Sequence, residues 1–112
     1  MSIRLEKAWI DLTPDTVAAL SGELGVYQLA GEDGRILRIG YAGGRSLFGL
    51  RGELAKALKE HGTTRVKFRI EVNHQYLSRY EELLMIHMAD HGSLPVGNEA
   101  ETKRKLGRLS IG

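Results

Sequence analysis

Two short strand-like runs joined by Glu32-Asp33-Gly34 set the strongest constraint on how this chain folds. The segment GVYQLAGEDGRILRIGYAGG, residues 25–44, reads as a strand from Gly25 to Ala30, a turn, and a return strand from Ile36 to Tyr41. Asp-Gly tolerates the positive φ values of a tight hairpin turn, and both flanks carry strand-forming side chains. A lone hairpin is marginal in water, so the rest of the chain must extend the sheet and cover it. TRVKFRIEV supplies a further strand, in which Val66, Phe68, Ile70 and Val72 alternate with Arg65, Lys67, Arg69 and Glu71. Such alternation predicts an antiparallel sheet with one covered and one solvated face.

Helices fill the gaps between these runs. In LTPDTVAALSG, Thr13 is placed to N-cap, Pro14 suits the first helical position, Asp15 favours the positive end, and Gly22 follows the last turn. SLFGLRGELAKALKEHG places Leu47, Leu50, Leu54 and Leu58 at helical spacing and stops at Gly62. A longer helix is expected from about Gln75 to His91, with Leu77, Tyr80, Leu84 and Met88 towards the core and Gly92 and Pro95 closing it. The element order is α-β-β-α-β-α. The expected fold is therefore α+β, a three-stranded antiparallel sheet flanked by helices.

A chain of 112 residues has room for one hydrophobic core, and the whole of it, residues 1–112, is read as a single domain. No apolar run reaches the length of a membrane span, and the N-terminus lacks a signal-peptide core. The absence of cysteine excludes disulfides, thiolate metal sites and a cysteine nucleophile, and it fits a reducing, cytoplasmic compartment. With a net charge of +2, any binding of a polyanion depends on local clusters of cations, such as Arg45, Lys56 and Lys59 or the basic tail of residues 99–112.

The hairpin and the elements after it resemble the GIY-YIG nuclease domain. Gly25-Val26-Tyr27 matches the first tripeptide of that family. Arg38-Ile39-Gly40 stands where the second, Tyr-Ile-Gly, is expected. Arg51 matches an arginine near the start of the next helix, Glu81 or Glu82 a glutamate on the last helix, and Asn98 a later asparagine. The resemblance spans about residues 20–98 and includes the order of elements. The departure is Arg38. An arginine is a permanent cation with a fork of donors suited to phosphate, and it cannot act as a phenol. Tyr41 lies three residues on, but strand alternation directs it to the opposite face from Arg38.

The resemblance implies a metal-dependent endonuclease acting on DNA, with one Mg²⁺ or Mn²⁺ ion held by a single carboxylate. It casts Tyr27 as general base or water-positioning hydroxyl, Arg51 as phosphate clamp, and Asn98 as an orienting group or a turn cap. Arg38, Gly40, Tyr41, Arg45 and Lys56 fall on the substrate side. Gly40, Gly43 and Gly44 either admit close approach of a phosphate or shape a tight turn. Helical phase favours Glu81 for the metal, since it lies about 40° from the Leu77, Leu84 and Met88 stripe and Glu82 about 140°; Glu82 is the alternative. His87 and His91 have the i, i+4 spacing of a metal pair, with no third ligand of obvious placement. Two other readings stand beside the nuclease. One is a catalytically degenerate domain that binds nucleic acid or a protein partner without cleavage. The other is a small scaffold or homodimerising domain, or one served by a host-supplied partner protein.

Overall fold

The computed structural model describes residues 4–62 and 65–99. The elements run β1 (Ile10–Asp11), α1 (Pro14–Ala18), β2 (Gly25–Gly31), β3 (Ile36–Ala42), α2 (Gly49–His61), β4 (Val66–Val72) and α3 (Tyr76–His91). The fold is α+β, as expected, but the sheet has four strands rather than three. Ile10 and Asp11 pair with Phe68 and Lys67, so the sheet order is β1-β4-β2-β3 and the element order begins with a strand. A strand of two residues is too short to leave a period in the sequence.

All pairings are antiparallel. Strand β2 lies between β3 and β4, and Gly25 to Ala30 are all buried. Its two faces build two cores. Tyr27, Leu29 and Phe68 pack with Val17 of α1 and Leu50, Leu54 and Ala57 of α2. Val26 and Ile39 pack on the other side with Leu5 and with Leu83 of α3. The sheet is thus covered on both faces, which corrects the expectation of one solvated face. The polar side of β4 is partly buried and partnered instead. Arg69 donates from Nε to Gln28 Oε1 at 2.7 Å and lies over the Trp9 ring at 4.1 Å. Glu71 accepts from Arg79 Nε at 2.9 Å.

Local chemistry ends the helices much as the sequence implies. Thr13 caps α1 in a reciprocal capping box with Thr16, and Pro14 takes the first position. Gly62 closes α2, and Gly92, in the left-handed region at φ 75°, closes α3. The helical phases differ from expectation. Leu47 precedes α2 and is exposed, and the buried face of that helix is Leu50, Leu54 and Ala57. On α3, Tyr80 and Leu84 pack against the core as expected, but Leu77 and Met88 are exposed while Leu83 and His87 are buried. An apolar stripe reads as a core face in sequence, but a buried histidine with a backbone partner can take a core position as well. Residues 100–112 of the basic tail lie outside the described residues.

Candidate functional site

The register of the hairpin fixes which side chains meet. Tyr27 lies opposite Gly40, and Leu29 lies opposite Arg38. Cross-strand partners share a face, so Tyr27 and Arg38 stand on the α2 side of the sheet and Tyr41 on the α3 side. Because β3 is the sheet edge, a groove can wrap around it from one face to the other. Gly40 makes this geometry workable. The Tyr27 ring lies across it, and a Cβ at that position would collide with the Cζ and hydroxyl oxygen of the phenol.

Tyr27 is only 5% exposed. Burial pushes its phenol above the ordinary value of 10.0, the charge of Arg38 and a hydrogen bond from it pull the other way, and Glu53 and Glu60 push it up again. The balance keeps the hydroxyl protonated at neutral pH. In this setting the Tyr27 oxygen accepts from Arg38 and its own proton remains available to donate.

Around it lies an open groove of about 310 Å³ lined by Tyr27, Arg38, Gly40, Tyr41, Glu53 and Glu81. A neighbouring cleft shares Tyr27, Arg38 and Glu53 and adds Lys56 and Glu60. On the other side the groove opens past Tyr41 to Gly43, Gly44 and Arg45. Lys56 Nζ sits 3.5 Å from Glu53 Oε2. The cations of this surface are therefore interleaved with carboxylates.

The helices decide which of the remaining residues reach the groove. Residues two apart on a helix point about 160° away from each other. Glu53 lines the groove, so Arg51, two residues before it, projects from the opposite flank of α2 and is exposed. On α3, Glu81 is exposed on the groove wall beside Leu77 and Tyr80. Glu82 turns the other way and is ion-paired with Arg79, which also holds Glu71 on β4. Of the two candidates on α3, Glu81 is thus the one at the groove, where Glu53 of α2 is a second carboxylate, although the stripe from which its phase was inferred is not the buried one.

Tyr41 belongs to an aromatic cluster on the α3 side. Its ring stacks on Tyr76 at 5.6 Å and meets Tyr80 edge-on at 5.0 Å. Tyr76 also packs against Gly43, where a Cβ would lie 2.7 Å from its ring, and Gly44 N donates to its hydroxyl at 3.2 Å. Two of the glycines after β3 therefore accommodate Tyr76. Asn98 is buried and bonds to both backbone groups of Ile39, with Ile39 N donating to Oδ1 and Nδ2 donating to Ile39 O, each at 2.8 Å. Its amide completes the free edge of β3 as a neighbouring strand would.

Tyr27, Arg38, Gly40, Tyr41 and Glu81 are brought to one groove. Lys56 and Arg45 flank it, while Arg51 and Glu82 point elsewhere and Asn98 supports β3 from behind. Sequence reasoning missed Glu53 and Glu60. The phase of Leu50, Leu54 and Ala57 places both on the flank of α2 that meets Arg38, but that phase is obscured by Leu47 and Leu58 in the sequence.

The model of a family described as a domain of unknown function (DUF7508) matches residues 3–90. No curated protein and no solved structure matches the chain. The matched span contains Tyr27, Arg38, Glu53 and Glu81 and stops short of Asn98.

Proposed function

We propose that this chain, which belongs to the DUF7508 family, is a GIY-YIG-like domain that takes a DNA phosphodiester into the groove at the edge of β3 and hydrolyses it with one Mg²⁺ or Mn²⁺ ion. The observation that carries the reading is the meeting of Tyr27, Arg38 and Glu81 on one groove around the hairpin edge.

The residues fit a hard, largely water-ligated ion. Glu81 is exposed on the groove wall and makes no ion pair among the described residues, whereas Glu82 is occupied by Arg79. Glu53 lines the same groove and is engaged by Lys56, so Glu81 is the carboxylate assigned to the ion. When bound, such an ion polarises the phosphate and acidifies a bound water. Arg38 supplies the fixed positive charge on the phosphoryl oxygens, the role that the resemblance gives to Arg51. Tyr27, held neutral, donates a hydrogen bond from its hydroxyl to a phosphate or leaving oxygen. The Tyr41 and Tyr76 pair offers an aromatic face beside the groove for a flanking base.

A second reading is favoured by two observations. Arg51 stands away from the groove, and Arg38 replaces the second phenol. A domain built so binds the phosphodiester backbone without cutting it. Purified protein with Mg²⁺ or Mn²⁺ and labelled duplex, flapped and branched DNA separates the two. Cleavage that Glu81→Gln abolishes supports the first. Salt-sensitive binding that Arg38→Gln weakens, with no cleavage, supports the second. If neither appears at low salt, both readings fail.

A further inference from the structure

Hydrolysis in the Tyr27 groove needs a proton acceptor for the attacking water, and three of its residues do not supply one. Arg38 is a permanent cation. Tyr27 keeps its own proton at neutral pH, since burial raises its phenol above the ordinary value, and its oxygen already accepts from Arg38. Glu81 is assigned to the ion. The other carboxylate that lines the groove among the described residues is Glu53 of α2. We propose that Glu53 is the general base of the groove, the catalytic residue that takes the proton of the attacking water. This role rests on the phosphodiester reading of the groove and departs from the resemblance, which gives the base to Tyr27.

The position of Glu53 supports the role. It lies one helical turn from both Leu50 and Ala57 of the buried face of α2, so its carboxylate emerges at the margin of that face. Its side chain is only 18% exposed. It lines the groove and both adjoining clefts, whereas Glu60 lines one of those clefts and not the groove. Its charge reaches the Tyr27 phenol. Lys56 Nζ meets Oε2 at 3.5 Å, and Oε1 makes no hydrogen bond among the described residues, which leaves an acceptor for a water. Helices α2 and α3 cover opposite faces of the sheet. A phosphate seated at the β3 edge therefore has Glu53 on one wall and Glu81 on the other.

The step balances with solvent as the proton reservoir. The water oxygen forms the new bond to phosphorus, the bond from phosphorus to the leaving oxygen breaks, and the water's proton passes to the Glu53 carboxylate. Solvent protonates the leaving oxygen and afterwards takes the proton from Glu53, which restores the base. A carboxylate beside a phosphate also repels it, so removing the charge of Glu53 helps binding while it stops cutting.

The full wild-type chain, Glu53→Gln and Glu32→Gln, which removes a carboxylate at the hairpin turn, are compared on labelled flapped and duplex DNA. Single-turnover cleavage with Mn²⁺ is expected to fall by about 10²-fold or more in Glu53→Gln, the usual scale for loss of a general base, and to stay close to wild type in Glu32→Gln. Without metal, Glu53→Gln is expected to bind the same DNA at least as tightly as wild type. A wild-type rate in Glu53→Gln, an equal loss in Glu32→Gln, or weaker DNA binding by Glu53→Gln would each overturn the role of Glu53. In those cases the nuclease reading still stands if the wild-type chain cuts and Glu81→Gln does not. A wild-type chain that does not cut overturns both.

Discussion

At the residue scale, Gly40 and Tyr27 are one feature. The glycine that the resemblance assigns to a motif is required physically because a phenol ring occupies the space of its side chain. Gly40→Ala is expected to displace that ring and to destabilise the fold by roughly 1–3 kcal/mol, the usual cost of overpacking; a shift of the urea midpoint with unchanged slope checks it. Tyr27 also gives a pH signature. Its folded pKa is raised, so the folded state holds that proton more tightly than the unfolded chain does. The associated stability is present below about pH 10, where the unfolded phenol titrates, and is lost as pH rises through the folded value. Absorbance titration should show a phenol ionising above the ordinary value, and Tyr27→Phe should remove that step.

At the element scale, two polar devices hold the layers in register. Asn98 ties the chain after α3 to the edge of β3 through both backbone groups of Ile39. Asn98→Ala leaves a buried donor and acceptor without partners and is expected to cost about 2–4 kcal/mol. Hydrogen exchange should then rise first at β3, the strand that carries Arg38. On the other side of the sheet, Arg79 joins Glu71 of β4 to Glu82 of α3. Burial raises the Glu71 carboxyl, but hydrogen bonds from Arg79 and Asn73 and the Arg79 charge outweigh it and hold it below the ordinary value. Its contribution is therefore present above about pH 4.3 and is lost as pH falls through the folded value. Arg79→Met should cost about 1–3 kcal/mol, less than a fully buried pair because Glu82 is partly exposed. It should also flatten the acid limb of a stability–pH curve.

At the scale of the whole molecule, the sheet and its helices were largely legible in the sequence. The Asp33-Gly34 turn, the alternation from Val66 to Val72 and the Thr13-Pro14 helix start each carry a local physical signal, and each appears where that signal puts it. What was not legible depended on packing between elements. The strand Ile10–Asp11 exists only through its pairing with β4. The buried face of α3 includes His87, whose burial is compensated by a hydrogen bond from Nδ1 to the Ser93 carbonyl. That change of phase moves Glu81 and Glu82 relative to the core. The corresponding phase of α2 turns Arg51 away and brings Glu53 and Glu60 to Arg38. The site's tyrosine and arginine were legible because hairpin register follows from sequence; its helical wall was not.

The proposed function turns on the assignment of the phosphate clamp to Arg38 rather than Arg51. The direct measurement is single-turnover cleavage of labelled flapped and duplex DNA with Mn²⁺ or Mg²⁺, comparing the wild-type chain with Arg38→Gln and Arg51→Gln. Metal-dependent cleavage is expected to fall by about 10²-fold or more in Arg38→Gln, as for loss of a group that stabilises transition-state charge, and to stay close to wild type in Arg51→Gln. No cleavage by the wild-type chain, or a loss confined to Arg51→Gln, would contradict that assignment.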